Sequence, residues 1–215
     1  MSIAVKICGL TRADDVDAAA AAGASMIGFN FFPPSPRAVT LAKAADLAAR
    51  VPAGIVKVAL SVDASDELLG EIVEAFDVDV LQLHGHETPE RVVEVHRRFG
   101  IEVMKVAPIS DATDVRHARA YETVADRLMF DAKPPKDATR PGGNALAFDW
   151  RLIAGEKWSK PWMLAGGLTP ENVAGAIHAS GARAVDVASG VETEPGIKDA
   201  DKIRRFIAAA HAADA

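Results

Sequence analysis

Cys8 and Asp131 are the two side chains whose type and position point most directly to chemistry. Each ends a short apolar run, at residues 3–8 and 127–131. A thiol acts as a base or nucleophile when nearby positive charge lowers its pKa, and Lys6 is a candidate source of that charge. We expect such a cysteine to be partly exposed to solvent. The alternative is an inert buried cysteine that packs as a small apolar side chain.

A carboxyl group at the position of Asp131 suits a general acid. That role requires a raised pKa, which desolvation beneath a closing loop provides. The segment that follows, residues 132–145, is rich in Pro and Gly and is typical of a mobile loop able to close. The alternative is an aspartate that only initiates a loop. A base and an acid on two sides of one substrate are what an isomerisation needs, without a cofactor.

Two Gly-containing pairs, Gly166-Gly167 and Ser189-Gly190, follow short apolar runs near the end of the chain. Glycine lets a ligand approach the backbone closely, and loops at such positions bind phosphate through their N–H groups. The alternative is a pair of ordinary tight turns. Since the sequence has no Gly-x-x-x-x-Gly-Lys-Ser/Thr motif, a nucleoside triphosphate is not implied.

Arg37 and His84 are further candidates for contact with a substrate. Arg37 ends a Pro-rich segment, residues 32–37, which stiffens the loop and can hold the guanidinium for a carboxylate; a solvated arginine is the alternative. His84 begins a His-Gly-His-Glu sequence, a weak metal signal, and the other histidines fall in predicted helices. We therefore expect no metal, an exposed His86, and a His84 that bonds to substrate or supports a loop.

Short apolar runs alternate with longer amphipathic segments along the chain. The runs predict strands at residues 3–8, 26–30, 55–61, 80–84, 102–107, 127–131, 162–165 and 184–188. Helical patterns cover residues 12–22, 40–50, 65–76, 88–99, 111–125, 149–155, 170–179 and 199–211. Thr88 and Thr169, each before a Pro, are typical helix caps. This alternation predicts an α/β protein with a (β/α)8 TIM barrel. The second possible fold is a doubly wound open sheet, but its glycine fingerprint is missing from this sequence.

Side-chain alternation along these strands adds a second observation. Successive strand residues point to opposite faces, so Ile3, Val5 and Ile7 would face helices. The same rule turns a set of polar or reactive side chains towards the barrel axis: Lys6, Cys8, Asn30, Gln82, His84, Asp131 and Asp186. Most lie towards the C-terminal strand ends, where barrel enzymes have their active sites. A purely structural core would carry branched apolar side chains there.

The overall composition limits the classes of function. The chain has 215 residues, 49% of them hydrophobic, and a formal net charge of -6. This length suits one catalytic domain over residues 1–215. The acidic balance argues against a nucleic-acid partner, and no apolar run reaches the roughly 18 residues that span a bilayer. The first residues lack a signal-peptide pattern and there is one cysteine, so we expect a cytoplasmic protein. Monomer and homodimer both suit a barrel of this size.

Taken in order, these motifs resemble those of the phosphoribosylanthranilate isomerases. The similar segments are KICGLT at 6–11, FPPSPR at 32–37, QLHG at 82–85, Asp131, GG at 142–143, FDW at 148–150, LAGGL at 164–168, DVASGVE at 186–192 and GIKD at 196–199. Any one segment is modestly specific. The ordered set, which extends over nearly the whole chain, is very specific.

The resemblance implies a substrate, a reaction and roles for single residues. The small-molecule substrate would be N-(5-phosphoribosyl)anthranilate, rearranged without a cofactor to 1-(2-carboxyphenylamino)-1-deoxyribulose 5-phosphate. Asp131 would protonate the ring oxygen of the ribose, and Cys8, as thiolate, would take the proton from C2. Arg37 would face the anthranilate carboxylate. The other substrate-binding residues, the phosphate loops among them, would be His84, Gly166, Gly167, Asp186, Ser189 and Gly190.

The sequence departs from the family pattern at two places. Residues 58–63 lack the Phe and Asn that often occur in the third strand, which bears on packing and on one edge of the site. Residues 142–145 read GGNA, where Thr followed by Gly is more usual. The second departure bears on the geometry and mobility of the loop, and therefore on turnover rate more than on reaction type.

Other classes of function stay open at this point. An aldolase that forms an imine would need a lysine near a strand end, and Lys6, Lys57 and Lys105 are candidates by position. A metal-dependent epimerase would need several His or Asp ligands at the barrel mouth. A non-catalytic ligand-binding barrel is the third alternative, and the presence of both Cys8 and Asp131 argues against it.

Overall fold

Eight parallel strands close into a barrel. The computed structural model describes residues 2–134, 141–143 and 146–213. The strands are β1 (Ala4–Cys8), β2 (Met26–Asn30), β3 (Val56–Ser61), β4 (Val80–Leu83), β5 (Glu102–Ile109), β6 (Arg127–Ala132), β7 (Trp162–Leu164) and β8 (Ala184–Val187). Each strand pairs with the next, and β8 pairs with β1. The predicted barrel is confirmed, and the open sheet is excluded.

Helices follow most of the strands. In the described part of the chain they are α1 (Ala13–Ala21), α2 (Leu41–Ala48), α3 (Asp66–Ala75), α4 (Pro89–Phe99), α5 (Ala112–Ala118), α6 (Val173–Ser180) and α7 (Ala200–Ala212). Within these described residues, no helix is both long and apolar enough to cross a bilayer. Thr88 caps α4 as predicted, because its hydroxyl accepts the N–H of Arg91. A small antiparallel hairpin of β9 (Glu192–Glu194) and β10 (Ile197–Lys198) lies between β8 and α7.

Two predicted helices are shorter than expected. The segment 149–155 forms only a single 3-10 turn, Trp150–Leu152, because Gly155 soon takes a positive φ of 77° and turns the chain away. The segment 111–125 forms α5 and then a 3-10 turn, Arg119–Tyr121, which ends the helical backbone early. Neither change affects the strands that carry the predicted site.

Thr169 does not cap α6 as predicted. Helix α6 begins only after Asn172. The side chain of Asn172 accepts the N–H of Thr169 and donates to the carbonyl of Gly167. These two bonds hold the intervening residues in a turn, so the helix starts after them.

The apolar core has two parts, separated by the wall of the barrel. Between strands and helices lies a large cluster that includes Ile3, Val5 and Ile7, as their alternation predicts. Inside the barrel lies a smaller cluster of Met26, Val58, Val80, Met104, Val106, Met129, Met163 and Ala165. The interior cluster fills the lower part of the barrel, so the polar inward side chains are confined to its C-terminal end.

Candidate active site

Two adjoining cavities open at the C-terminal end of the barrel strands. They share Asp131, Gly142, Gly143, Asp186 and Ala188 as lining residues. The first cavity is bounded by the loops after β6, β7 and β8, and the second by residues from β1 to β4 together with the loop after β6. Their position agrees with the predicted location of the site.

Cys8 ends β1 and lines the second cavity, but it is not partly solvated as the sequence suggested. Only 4% of the residue is exposed. Burial raises the pKa of its thiol, and the charge of Lys6, which acts in the opposite direction, does not cancel that effect. The net direction is therefore a raised pKa, although Lys6 acts to lower it as the sequence suggested. Lys6 contributes most of the charge that favours the thiolate, and Lys198 acts in the same direction.

Lys6 forms a buried ion pair with Asp186. Its Nζ lies 2.7 Å from the Oδ1 of Asp186, in the next strand of the closed barrel. Burial lowers the pKa of Lys6, but the charges of Asp186 and Cys8 outweigh burial, and the pKa is raised above its ordinary value. A lysine held as ammonium is a poor imine-forming nucleophile, so the geometry does not favour Lys6 as an aldolase residue.

The other two candidate lysines lie outside the barrel interior. Lys57 and Lys105 occupy outward positions of β3 and β5, since their neighbours Val58 and Met104 belong to the interior cluster. Lys105 donates to the carboxylate of Glu87 at 2.7 Å and to the carbonyl of Gly85. Neither lysine lines the two cavities.

Asp131 and His84 lie together on the far wall of the second cavity. The Nε2 of His84 is 3.3 Å from the Oδ2 of Asp131, while Asp131 Oδ1 accepts the N–H of Ala132. The Nε2 of Gln82 lies 3.3 Å from the Nδ1 of His84. If the Gln82 amide donates to Nδ1, His84 carries its proton on Nε2, the ring nitrogen that lies nearer to Asp131. Gln82 thus orients His84. Side-chain alternation predicts that Gln82 points inward, but the sequence alone assigns it no role.

The loop after β6 covers these side chains. A Cβ added at Gly142 would come within 2.8 Å of His84 and 2.9 Å of Asp131, so the glycine backbone packs directly on both. Residues 135–140, 144 and 145 of the predicted mobile loop lie outside the described residues, and so does the second half of the unusual GGNA sequence. The closing role of this loop stays a prediction.

Arg37 lies in the wall of the second cavity with an intramolecular partner. Its Nε and Nη2 donate to the two carboxylate oxygens of Glu192 at 2.7 Å and 2.8 Å. The residue is buried, with 4% exposed, so the solvated alternative is wrong. Its Nη1 lies beside Gly143, where an added Cβ would be 2.5 Å away. Sequence pattern does not predict the contact between Arg37 and Glu192, because the two residues are 155 positions apart and no spacing rule joins them.

The two Gly-containing pairs lie next to each other across the first cavity. Gly166 and Gly167 have positive φ values of 88° and 64°, and both line this cavity together with Ser189. Gly190 does not line it; a Cβ there would overlap the carbonyl oxygen of Leu168. The loops after β7 and β8 thus touch backbone to backbone, and glycine makes this contact possible.

The His-Gly-His-Glu sequence does not gather ligands for a metal. Within residues 2–134, 141–143 and 146–213 no group of three or more His, Cys, Asp or Glu side chains is placed to hold an ion. Glu87 is instead paired with Lys105, and His86 is exposed beside Asp63.

Comparisons with known proteins identify the family. The family model described as N-(5'-phosphoribosyl)anthranilate isomerase matches residues 5–209. A relative of that name from Paramagnetospirillum magneticum is 57% identical, over 98% of both chains. The crystal structure of phosphoribosyl anthranilate isomerase from Thermotoga maritima superposes with a TM-score of 0.87 at 33% identity, over 97% of this chain and 98% of that one.

A further solved structure carries a bound ligand. It is a phosphoribosyl anthranilate isomerase in complex with reduced 1-(o-carboxyphenylamino)-1-deoxyribulose 5-phosphate, with a TM-score of 0.82 and 31% identity, over 97% of this chain and 98% of that one. That ligand has a carboxylate at one end and a phosphate at the other.

Proposed function

The chain belongs to the N-(5'-phosphoribosyl)anthranilate isomerase family, and we propose that it catalyses the Amadori rearrangement of N-(5'-phosphoribosyl)anthranilate to 1-(2-carboxyphenylamino)-1-deoxyribulose 5-phosphate, a step of tryptophan biosynthesis. The observation that carries the residue assignment is that Cys8, Asp131 and Arg37, from separate parts of the barrel, line one cavity. Two candidate proton-transfer groups and a carboxylate-binding group thus converge on a single cavity.

Asp131 is the general acid of the first step. Its carboxylic acid form gives its proton to the ring oxygen of the ribose, and the C1–O bond breaks. The nitrogen lone pair forms a C=N bond, so that an open-chain iminium results and Asp131 is left as carboxylate. The closely packed His84 and Gly142 keep this group away from bulk water.

Cys8 is the base of the second step. As thiolate it takes the proton from C2, and the C–H electron pair moves to neutralise the iminium as an enolamine. Tautomerisation then gives the ketone: C1 takes up the proton held by Cys8, and the proton of the enol hydroxyl is released to solvent, from which Asp131 regains its own proton. Lys6, whose charge favours the thiolate, assists this step from its place beside Asp186.

The two charged ends of the substrate fit the two cavities. The phosphate lies in the first cavity against the turns at Gly166, Gly167 and Ser189, and Gly190 acts from behind by letting the two loops approach each other. The anthranilate carboxylate lies in the second cavity, near the Nη1 end of Arg37. Asp186 and His84 lie between these ends and hydrogen-bond the sugar hydroxyls.

The proposal includes three wider statements about the chain. Residues 1–215 act as one catalytic domain, the reaction needs no cofactor or metal, and the protein works in the cytoplasm. Nucleic acid and membrane are not among its partners, as its formal net charge of -6 favours. Monomer and homodimer are both compatible with the proposal.

The test follows the fluorescence of phosphoribosylanthranilate, generated in situ, in the presence of a chelator. We expect a rapid loss of fluorescence with the purified protein and with Glu194→Gln, an exposed hairpin variant used as control. Cys8→Ala and Asp131→Asn should be almost inactive while remaining folded by circular dichroism. Absence of turnover in the wild type would overturn the proposal, and full turnover in either variant would overturn the role of that residue.

A further inference from the structure

We infer that Glu192 and Lys198 are positioning residues that hold the Arg37 guanidinium in place and thereby set the preference for a substrate with a carboxylate. This inference rests on the proposed function, which assigns the anthranilate carboxylate to Arg37. Neither residue lines the two cavities; Glu192 acts by its contact with Arg37, and Lys198 acts on Arg37 by its contact with Glu192.

Glu192 binds one edge of the guanidinium and a second cation. Its carboxylate accepts from Arg37 Nε at 2.7 Å, from Arg37 Nη2 at 2.8 Å and from Lys198 Nζ at 2.8 Å. The side chains of Arg37, Glu192 and Lys198 are almost fully buried, at 5%, 5% and 0% exposed. Burial acts to raise the pKa of Glu192, but Arg37 and Lys198 outweigh burial and lower it, so Glu192 is an anion. Charge-assisted bonds of this geometry fix the plane of the guanidinium.

The guanidinium keeps one end for the substrate. A planar Arg fork has five N–H donors, and Glu192 takes the Nε–Nη2 edge. The end that carries Nη1 lies beside Gly143, which itself lines the second cavity. Gly9 packs on the other part of the side chain, since a Cβ there would be 2.6 Å from the Cδ of Arg37. Arg37 is thus clamped along its length, and its orientation costs little entropy when a carboxylate binds.

Lys198 connects this clamp to the loop after β8. Its Nζ also donates to the carbonyl of Ala188 at 2.9 Å, directly before Ser189 of the phosphate loop. The hairpin that carries Glu192 and Lys198 packs on the Arg37 loop, because a Cβ at Gly196 would be 2.6 Å from the carbonyl oxygen of Pro36. A buried ionic link therefore joins the carboxylate end of the site to the phosphate end.

The test compares two inert ligands that differ by one carboxylate. The first is the reduced product, and the second is its anilino counterpart without the carboxyl group; both are titrated by calorimetry. Glu192→Gln keeps the shape but loses the charge and one of the two acceptor oxygens, so it cannot bind the Nε–Nη2 edge of Arg37 through two parallel bonds. We expect the dissociation constant of the carboxylated ligand to rise about 10- to 100-fold. The constant for the anilino ligand should stay within about 2-fold, because it does not use Arg37.

A matched control and a second route complete the design. Glu194→Gln, on the same hairpin but exposed, should change neither constant. In a double-mutant cycle, Arg37→Lys and Glu192→Gln should be strongly non-additive for the carboxylated ligand. If Glu192→Gln does not fold, Lys198→Met gives the comparison through the ratio of the two constants. Loss of the Ala188 contact weakens both phosphate-bearing ligands alike, whereas loss of the Glu192 contact weakens only the carboxylated one, and Lys198→Arg should restore the ratio.

The outcomes separate this inference from the proposed function. Equal weakening of both ligands, or no weakening of either, would mean that Glu192 and Lys198 only support the fold, and it would overturn the inference. Loss limited to the carboxylated ligand supports it. A wild type that binds the carboxylated ligand selectively but does not turn over phosphoribosylanthranilate would overturn the proposed function alone.

Discussion

The Nζ of Lys6 lies 2.7 Å from the Oδ1 of Asp186, and the two residues face each other in register across β1 and β8. The two charges shift the pKa of the Cys8 thiol in opposite directions. The charge of Lys6 lowers the pKa of Cys8, whereas the charge of Asp186 raises it. The base strength of the thiolate thus depends on a balance that single substitutions can move either way.

The first prediction concerns the pH dependence of Cys8. Its raised pKa means that the thiol should ionise at or above the ordinary thiol range, about pH 8.5. Lys6→Met removes the cation that favours the thiolate and should move this ionisation to higher pH. Asp186→Asn removes the opposing anion and should move it to lower pH.

The thiolate can be measured directly, since Cys8 is the one cysteine of the sequence. Its ultraviolet absorbance is followed against pH, with Cys8→Ser as blank. Shifts in the same direction for Lys6→Met and Asp186→Asn would contradict the proposed balance.

The second prediction concerns the acid. Asp131→Asn has no acidic proton to give and should reduce kcat by about 10²- to 10⁴-fold. His84→Leu removes the imidazole that lies 3.3 Å from Asp131 and should cost less, about 10-fold in kcat/KM. His84→Gln, whose amide can still donate, should recover part of that loss. A kcat of His84→Leu as low as that of Asp131→Asn would instead place His84 among the proton-transferring groups.

The third prediction compares alanine substitutions at two glycines, one with no space for a Cβ and one with open space. Gly190→Ala would overlap the carbonyl oxygen of Leu168 and push apart the loops after β7 and β8. We expect affinity for inorganic phosphate to fall about 10-fold. Gly175→Ala, within α6 and with no atom near the added Cβ, should leave phosphate binding intact and stabilise the fold by about 0.5–1 kcal/mol. Unchanged phosphate affinity in Gly190→Ala would argue against phosphate at these loops.

The fourth prediction concerns the stability of the loop that carries His84. Lys105 and Glu87 form a buried pair at 2.7 Å, with 2% and 4% of the side chains exposed. Lys105→Met leaves the carboxylate buried without its cation and should lower the free energy of unfolding by about 3–5 kcal/mol. Adding Glu87→Gln should recover part of this loss. Urea unfolding of the single and double variants measures the coupling, and additive losses would contradict it.

Much of this architecture follows from local sequence pattern. Strand alternation correctly turns Ile7 outward, because a period of two is imposed by the backbone itself. The same rule turns Asp131 and Asp186 inward, and both line the cavities at the barrel mouth. The predicted strand bounds are also close, since each apolar run ends where polar mouth residues begin.

What the sequence does not reveal is how distant side chains pair. Arg37 and Glu192 are 155 positions apart, and their contact exists only because the hairpin after β8 folds back on the loop after β2. The burial of Cys8 has the same origin, since exposure depends on which loops cover the barrel mouth. Alternation gives the direction of a side chain but not its depth, so the predicted solvation of the thiol is wrong.

The interior cluster beneath the site contains four of the five methionines of the chain, at positions 26, 104, 129 and 163. Methionine side chains are unbranched and polarisable, and they refill a changed space more readily than Val or Ile. Ion pairs and glycine turns hold the C-terminal rim of the barrel, while the methionines of the interior cluster below it can adjust their packing. Substitutions that reshape the rim for another substrate can thus be absorbed below, a separation that favours the evolution of new specificities on this scaffold.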